Sequence, residues 1–168
     1  MNGKEQCAEP LGLPVDSARI QARERRVAVA ARSDGWRFYR GSCACPVPNP
    51  LYRRVSKAQV EDKITFLSET FDQIIKLFNG NLDAMAWNKQ KLDHFLAVLD
   101  RQSRELKTCV PSSRKYEKRL TRYFSKLKKD VLKQRNFDSP SWELVRKEVR
   151  RHLQRLDLIS ASVKKEMK

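Results

Sequence analysis

The sequence is short of glycine and histidine and has no long apolar run, and each shortage removes a class of protein. Five glycines in 168 residues leave few tight turns and no glycine loop able to cradle a phosphate, so helices are the favoured element. No apolar stretch approaches the roughly 18 residues needed to cross a bilayer. Only two histidines are present, His94 and His152, and the cysteines Cys7, Cys43, Cys45 and Cys109 form no CxxC pair, which argues against a Cys/His zinc site. There is no H-E-x-x-H pair and no Ser/His/Asp order, and no asparagine is followed two positions on by Ser or Thr, so N-glycosylation is not expected. The expectation is a non-enzymatic chain with no catalytic residue, no metal, no cofactor and no small-molecule substrate. The opening MNGKEQCAEPLGLPVDSARIQARERR lacks the apolar core of a secretory signal, which sets intracellular retention or an altered amino terminus beside secretion as expectations.

What the sequence has in excess is positive charge. The formal net charge is +16, and residues 114 to 155 carry 15 Lys or Arg against five acids. A surplus of this size attracts polyanions, so weak polyanion binding is one expected partner class. A basic helical protein acting on nucleic acid, glycans or membranes is accordingly an alternative reading. Its bland counterpart is a solvated helix face.

The chain changes character near residue 50. Residues 1–49 hold four of the seven prolines and three of the four cysteines, and Ser17 to Arg32 offers mostly small apolar residues among six charges. This reads as a poorly specified arm, with a helical unit over residues 50–168. From Ser56, a capping box with Gln59 and a staple of Val55 and Val60 predict a helix start. Val60, Ile64, Leu67, Phe71, Ile74, Ile75 and Phe78 then repeat at helical spacing, and Gly80 is placed as a left-handed stop. A second helix is predicted from near Leu82 to Cys109. A third carries Tyr116, Leu120, Tyr123, Phe124, Leu127 and Val131, and fades at Asn136. A fourth opens at Asp138-Ser139-Pro140, with Ser139 as cap, and its stripe runs from Trp142 through Val145, Val149, His152 and Leu156 to Val163. Four such one-sided helices predict an all-α bundle, and the short connections 79–82 and 108–114 predict up-down-up neighbours for the first three.

Minor signals have bland readings. Cys43-Ala-Cys45 lacks the partners of a metal or redox site. Trp36-Arg37-Phe38-Tyr39-Arg40 interleaves aromatic and basic residues as single-strand nucleic-acid binders do, yet one pentad is more often a loop anchor. His94 and His152 lie on or beside apolar stripes and read as partly buried structural residues.

The segment Ser141-Trp142-Glu143-Leu144-Val145-Arg146-Lys147-Glu148 resembles the W-E-x-V/I-R-x-E signature on the last helix of type I interferons. HLQRLDLI (His152 to Ile159), LYRRV (Leu51 to Val55), EDKITFLSET (Glu61 to Thr70), IIKLFNGN (Ile74 to Asn81) and RLTRYFSKL (Arg119 to Leu127) resemble the members from bony fish, in consistent order over about residues 46 to 163. The resemblance implies a secreted antiviral cytokine with a four-helix-bundle fold that bridges two receptor chains of the class II cytokine receptor family. It implies a first receptor surface at Arg146, Lys147, Arg150, Arg151 and Gln154, joined by Arg53 and Arg54 in the segment that resembles the end of the long first loop. Trp142 is placed toward the core. The family's first helix has no counterpart here and is expected to be missing or poorly formed, which bears on activity; an intracellular, non-signalling variant is the corresponding alternative. Cys109 matches a family cysteine whose usual partner lies at the mature amino terminus, with Cys7, Cys43 or Cys45 as candidates. A second family bridge is absent in its usual form, because Pro140 occupies its position.

Overall fold

The computed structural model describes Cys45 and residues 47–168. The arm expected over 1–49 therefore lies almost wholly outside the described residues, as do Cys7, Cys43, the 36–40 pentad and the Ser17 to Arg32 stretch. Among the described residues the regular structure is all helical: α1 (Asn49–Ser56), α2 (Val60–Leu77), α3 (Lys89–Thr108), α4 (Glu117–Leu127) and α5 (Ser139–Met167). A π-helical turn, Lys128–Leu132, and a 3₁₀ turn, Lys133–Arg135, continue α4.

Helix α2 is the hub. Its predicted stripe lies in the core, with Val60 and Ile75 partly buried, and every residue from Lys63 to Phe71 is buried as well, because α3, α4 and α5 all pack against it. Pairs of cross-helix contacts fix the directions. Asp72 meets Ser103 while Phe78 meets Phe95, Lys63 meets Ser162 while Phe78 meets Trp142, and Glu69 meets Tyr116 while Gln73 meets Thr121, so α3 and α5 run antiparallel to α2 while α4 runs parallel to it. The up-down-up order holds in direction, but α3 and α4 each pack mainly on α2 and not on one another.

Several predicted boundaries are corrected. Ser56 closes α1 instead of capping α2; its hydroxyl donates to the Arg53 carbonyl 2.7 Å away, and the residue preceding α2 is Gln59, with no side-chain cap. Pro50 in the first turn of α1 and the burial of Leu51, Tyr52 and Val55 explain this extra helix. Helix α2 ends on Phe78, and Gly80 does not take the left-handed conformation. Helix α3 starts at Lys89 and not near Leu82, because Asn88 caps it by accepting from Lys91 N. The chain before it closes over an aromatic cluster: Phe78 stacks on Trp142 at 5.7 Å and lies 5.7 Å from Trp87, while Trp142 Nε1 donates to the Asn81 carbonyl. At α5 the cap is Asp138, accepting from Ser141 N at 2.8 Å; Ser139 is already helical, with Pro140 in the first turn. Asn136 and Phe137 both have positive φ, 50° and 55°, and turn the chain sharply between α4 and α5.

The π turn has a packing reason. With i→i+5 bonding the backbone rotates less per residue, so Val131 and Leu132 both stay in the core where an α-helix would swing Leu132 outward. Each stripe residue withdrawn from water contributes about 1.5–3 kcal/mol.

Candidate functional site

The inner face of α5 buries Trp142, Val145, Val149, His152, Leu156 and Val163. This fixes what the outer face presents. Lys147, Arg151, Arg155 and Leu158 follow one another at three- and four-residue steps, with Gln154 between them, so all five lie in one angular sector of the helix. Lys147, Arg151, Gln154 and Leu158 are exposed, and Leu158, at 69% exposure, is the large apolar side chain most open to solvent among the described residues.

The sequence-predicted residues divide. Arg151 extends into solvent while its guanidinium pairs with Glu148 at 2.5 Å. The Glu148 carboxyl is buried, which raises its pKa, and Arg151 pulls in the opposite direction. Arg146, expected to project outward, is only 19% exposed at its side chain; its guanidinium lies 5.2 Å over the Trp87 ring and 3.7 Å from Glu143. Arg150 is half-buried, and its Nε finds no partner among the described residues. Arg146 is held against the body of the molecule and Arg150 is half-buried, whereas Lys147 and Gln154 are exposed and Arg151 is exposed but held by Glu148.

Arg53 and Arg54 are exposed on α1, whose opposite face docks on α5. The joint is polar and buried. Tyr52 OH lies 2.6 Å from His152 Nδ1, and Tyr123 OH lies 3.1 Å from His152 Nε2 and donates to the Cys45 carbonyl. Burial, reinforced by Arg155, lowers the His152 pKa to about 3, so the ring is neutral and has one donor and one acceptor for the two phenols. Burial likewise raises the Tyr52 pKa. Outside this knot, Arg155 stacks 5.5 Å over the Tyr52 ring and donates to the Asn49 side chain. A shallow groove results, lined by Val47, Asn49, Arg151, Gln154, Arg155 and Leu158.

Arg155 and Leu158 were missed as site residues, although the i, i+4, i+7 spacing from Arg151 places both beside it. His94, expected to be partly buried, is exposed. Cys109 is disulfide-bonded. Cys45 Sγ instead lies 3.7 Å from Asp130 Oδ2 as a thiol donor, and Cys7 and Cys43 lie outside the described residues. Among the described residues no cluster of His, Cys, Asp and Glu is arranged to hold a metal, and no helix is long and apolar enough to cross a membrane.

The family model for the interferon alpha/beta domain matches residues 45–163. Interferon a3 of Oncorhynchus mykiss is 49% identical over 116 residues, covering 69% of this chain and 66% of the trout protein. Interferon alpha-1 of Sus scrofa is 31% identical over 58% of this chain, which spans 55% of the pig protein. The chain thus spans between about half and two thirds of these curated relatives. Among solved structures, zebrafish interferon 1 is similar, with a TM-score of 0.66 and 35% identity over 73% of this chain and 83% of that one. The matched stretch takes in all five helices but the last few residues of α5, and on that ground the chain belongs to the type I (alpha/beta) interferon family, as a member of the fish kind.

Proposed function

We propose that the protein acts as a secreted ligand that docks on one chain of a two-chain class II cytokine receptor, engages the other chain elsewhere, and starts antiviral gene expression. Interferons are cytokines, without catalytic chemistry of their own. The observation that supports the docking face is the single stripe of Lys147, Arg151, Gln154, Arg155 and Leu158 beside the α1 junction. An exposed leucine ringed by cations suits a partner with an apolar centre and an acidic rim, where the charges raise association rate and specificity more than affinity. Arg53 and Arg54 extend this face from α1. Arg146 and Arg150 support it from behind, one stacked on Trp87 and the other half-buried.

The test is application of refolded protein to responsive fish cells, with antiviral transcripts as readout. Folded wild-type protein induces them; Arg151→Glu and Leu158→Glu require at least about tenfold more protein, a loss of about 1.4 kcal/mol in receptor affinity. Wild-type protein that is folded but induces nothing would sink the ligand reading. Normal potency in both variants would move the docking face elsewhere.

A further inference from the structure

Helix α4 carries a second basic surface on a different helix from the α5 stripe. Lys118, Arg119, Arg122, Lys126, Lys129 and Lys133 are all exposed. At about 100° per residue the first four fall within an arc of about 100°, opposite the buried Leu120, Phe124 and Leu127. The slower rotation of the π turn, which holds Val131 and Leu132 inside, carries Lys129 and Lys133 to the edge of that sector. The outcome is a band of six cations about 22 Å long.

Among the described residues the ridge is uncompensated. The flanking cations are engaged: Lys115 pairs with Asp62 at 2.7 Å and Arg114 with Glu117 at 3.6 Å. None of the six ridge side chains makes an ion pair or hydrogen bond among the described residues. The neighbouring acid Asp130 is half-buried and turned to the Cys45 thiol. After the adjacent Lys118 and Arg119, successive ridge cations lie about 4.5–6 Å apart along the axis. That is inside the screening length of about 8 Å at physiological salt, so their potentials add.

We propose that this ridge binds a linear sulphated polysaccharide of the cell surface or matrix. The choice of a glycan over other polyanions rests on the reading of the chain as an extracellular ligand, and three further observations support it. The apolar side of α4 is spent in the core, so the helix has nothing to insert into a lipid surface. No exposed aromatic stands on the ridge for bases to stack on, since Phe124 is buried and the Tyr123 hydroxyl is bound to His152 and Cys45. A line of cations matches a line of sulphates.

Heparin serves as probe, titrated against the full chain at physiological ionic strength. The variant Lys126→Glu/Lys129→Glu/Lys133→Glu is compared with Lys57→Glu/Lys89→Glu/Lys165→Glu, which makes the same charge change at scattered exposed sites. A Lys126→Gln/Lys129→Gln/Lys133→Gln variant guards against misfolding, with circular dichroism as check. The ridge reversal is expected to weaken heparin binding about tenfold or more and flatten its salt dependence, and the scattered reversal about threefold or less. Desulphated heparin should not bind. Equal losses in both triples would reduce the effect to bulk charge and overturn the proposal, as would no heparin binding by the wild type. Tighter, equally ridge-dependent binding to duplex DNA, single-stranded RNA or anionic vesicles would overturn it in favour of those partners. Each of these outcomes leaves the receptor reading standing, because that is scored by transcript induction.

Discussion

Helices α2 and α4 are built from the same grammar of apolar residues at helical spacing with charges between, yet their polar groups meet opposite ends. On α2 they find partners inside the protein. Asp62 binds Lys115, Lys63 binds Ser162 and Glu166, Glu69 accepts from Tyr116 N, and Asp72 accepts from Ser103 and Lys107. On α4 the six ridge cations find none among the described residues. A helix surrounded by three others must satisfy its polar groups internally, since burial without a partner costs about 1–3 kcal/mol each. Those bonds set the register of the neighbours. A helix with one side in water has no such obligation, and its charges remain for an outside partner.

The contrast is most severely tested by truncation. Phe66 of α2 has no exposure and meets Tyr52 and Tyr116 edge to face at 5.2 and 5.4 Å. Phe66→Ala is expected to cost about 3–5 kcal/mol in urea unfolding, whereas Arg122→Ala on α4 should stay within about 0.5 kcal/mol. A Phe66 cost below about 1 kcal/mol would mean that α2 is not the hub.

A smaller effect is expected at His152. Its pKa in the folded chain lies below its ordinary value, so the unfolded chain takes up the proton first. Stability should therefore fall as pH drops from about 6.5 toward about 3. His152→Leu strands the Tyr52 hydroxyl, leaves the Tyr123 hydroxyl its bond to the Cys45 carbonyl, costs about 1–3 kcal/mol at neutral pH, and removes that slope. Thermal unfolding across this range decides the matter; an unchanged slope in the variant would assign it to other groups.

Glu69 sharpens the comparison from the other sign. Burial raises its pKa to about 7, partly offset by the Tyr116 N–H bond, so the folded chain holds the proton longer than the unfolded one. Stability should fall as pH rises from about 4.5 to 7, opposing the His152 slope where the two windows overlap. Glu69→Gln keeps an acceptor for Tyr116 and should gain on the order of 1–2 kcal/mol above pH 7. A Gln variant no more stable there than the wild type would show that the carboxylate is adequately solvated.

The smallest difference is an ordering. Lys63 is buried and Glu166 is largely open, so Glu166→Ala leaves an ammonium enclosed with only Ser162, whereas Lys63→Met leaves a carboxylate free to turn to water. Glu166→Ala should lower Tm more than Lys63→Met, and the reverse order would show that the lysine reaches solvent.

The parts of the fold legible in the sequence were those with sustained periodicity. The stripes of α2, α4 and α5 put Ile64, Leu120 and Val149 in the core as expected. What failed were single-residue signals. Ser56 followed by Gln59 has the letters of a capping box, but Pro50 had already started a helix that ends there. Leu82 and Met85 have helical spacing, yet their segment packs as a loop over Phe78 and Trp142. Of the candidate surface, Lys147, Arg151 and Gln154 followed from position on α5. The covering of Arg146 did not, because Trp87 comes from a loop distant in sequence.

The sequence by itself determined an all-helical chain, the buried side of each major helix, the family, and the concentration of charge on the last two helices. These follow from periodicity and composition, which are local properties. Only the tertiary structure decided which cations are free, because that depends on what lies across from each one. Arg146 met an indole, Lys115 met Asp62, and the α4 ridge met no partner among the described residues.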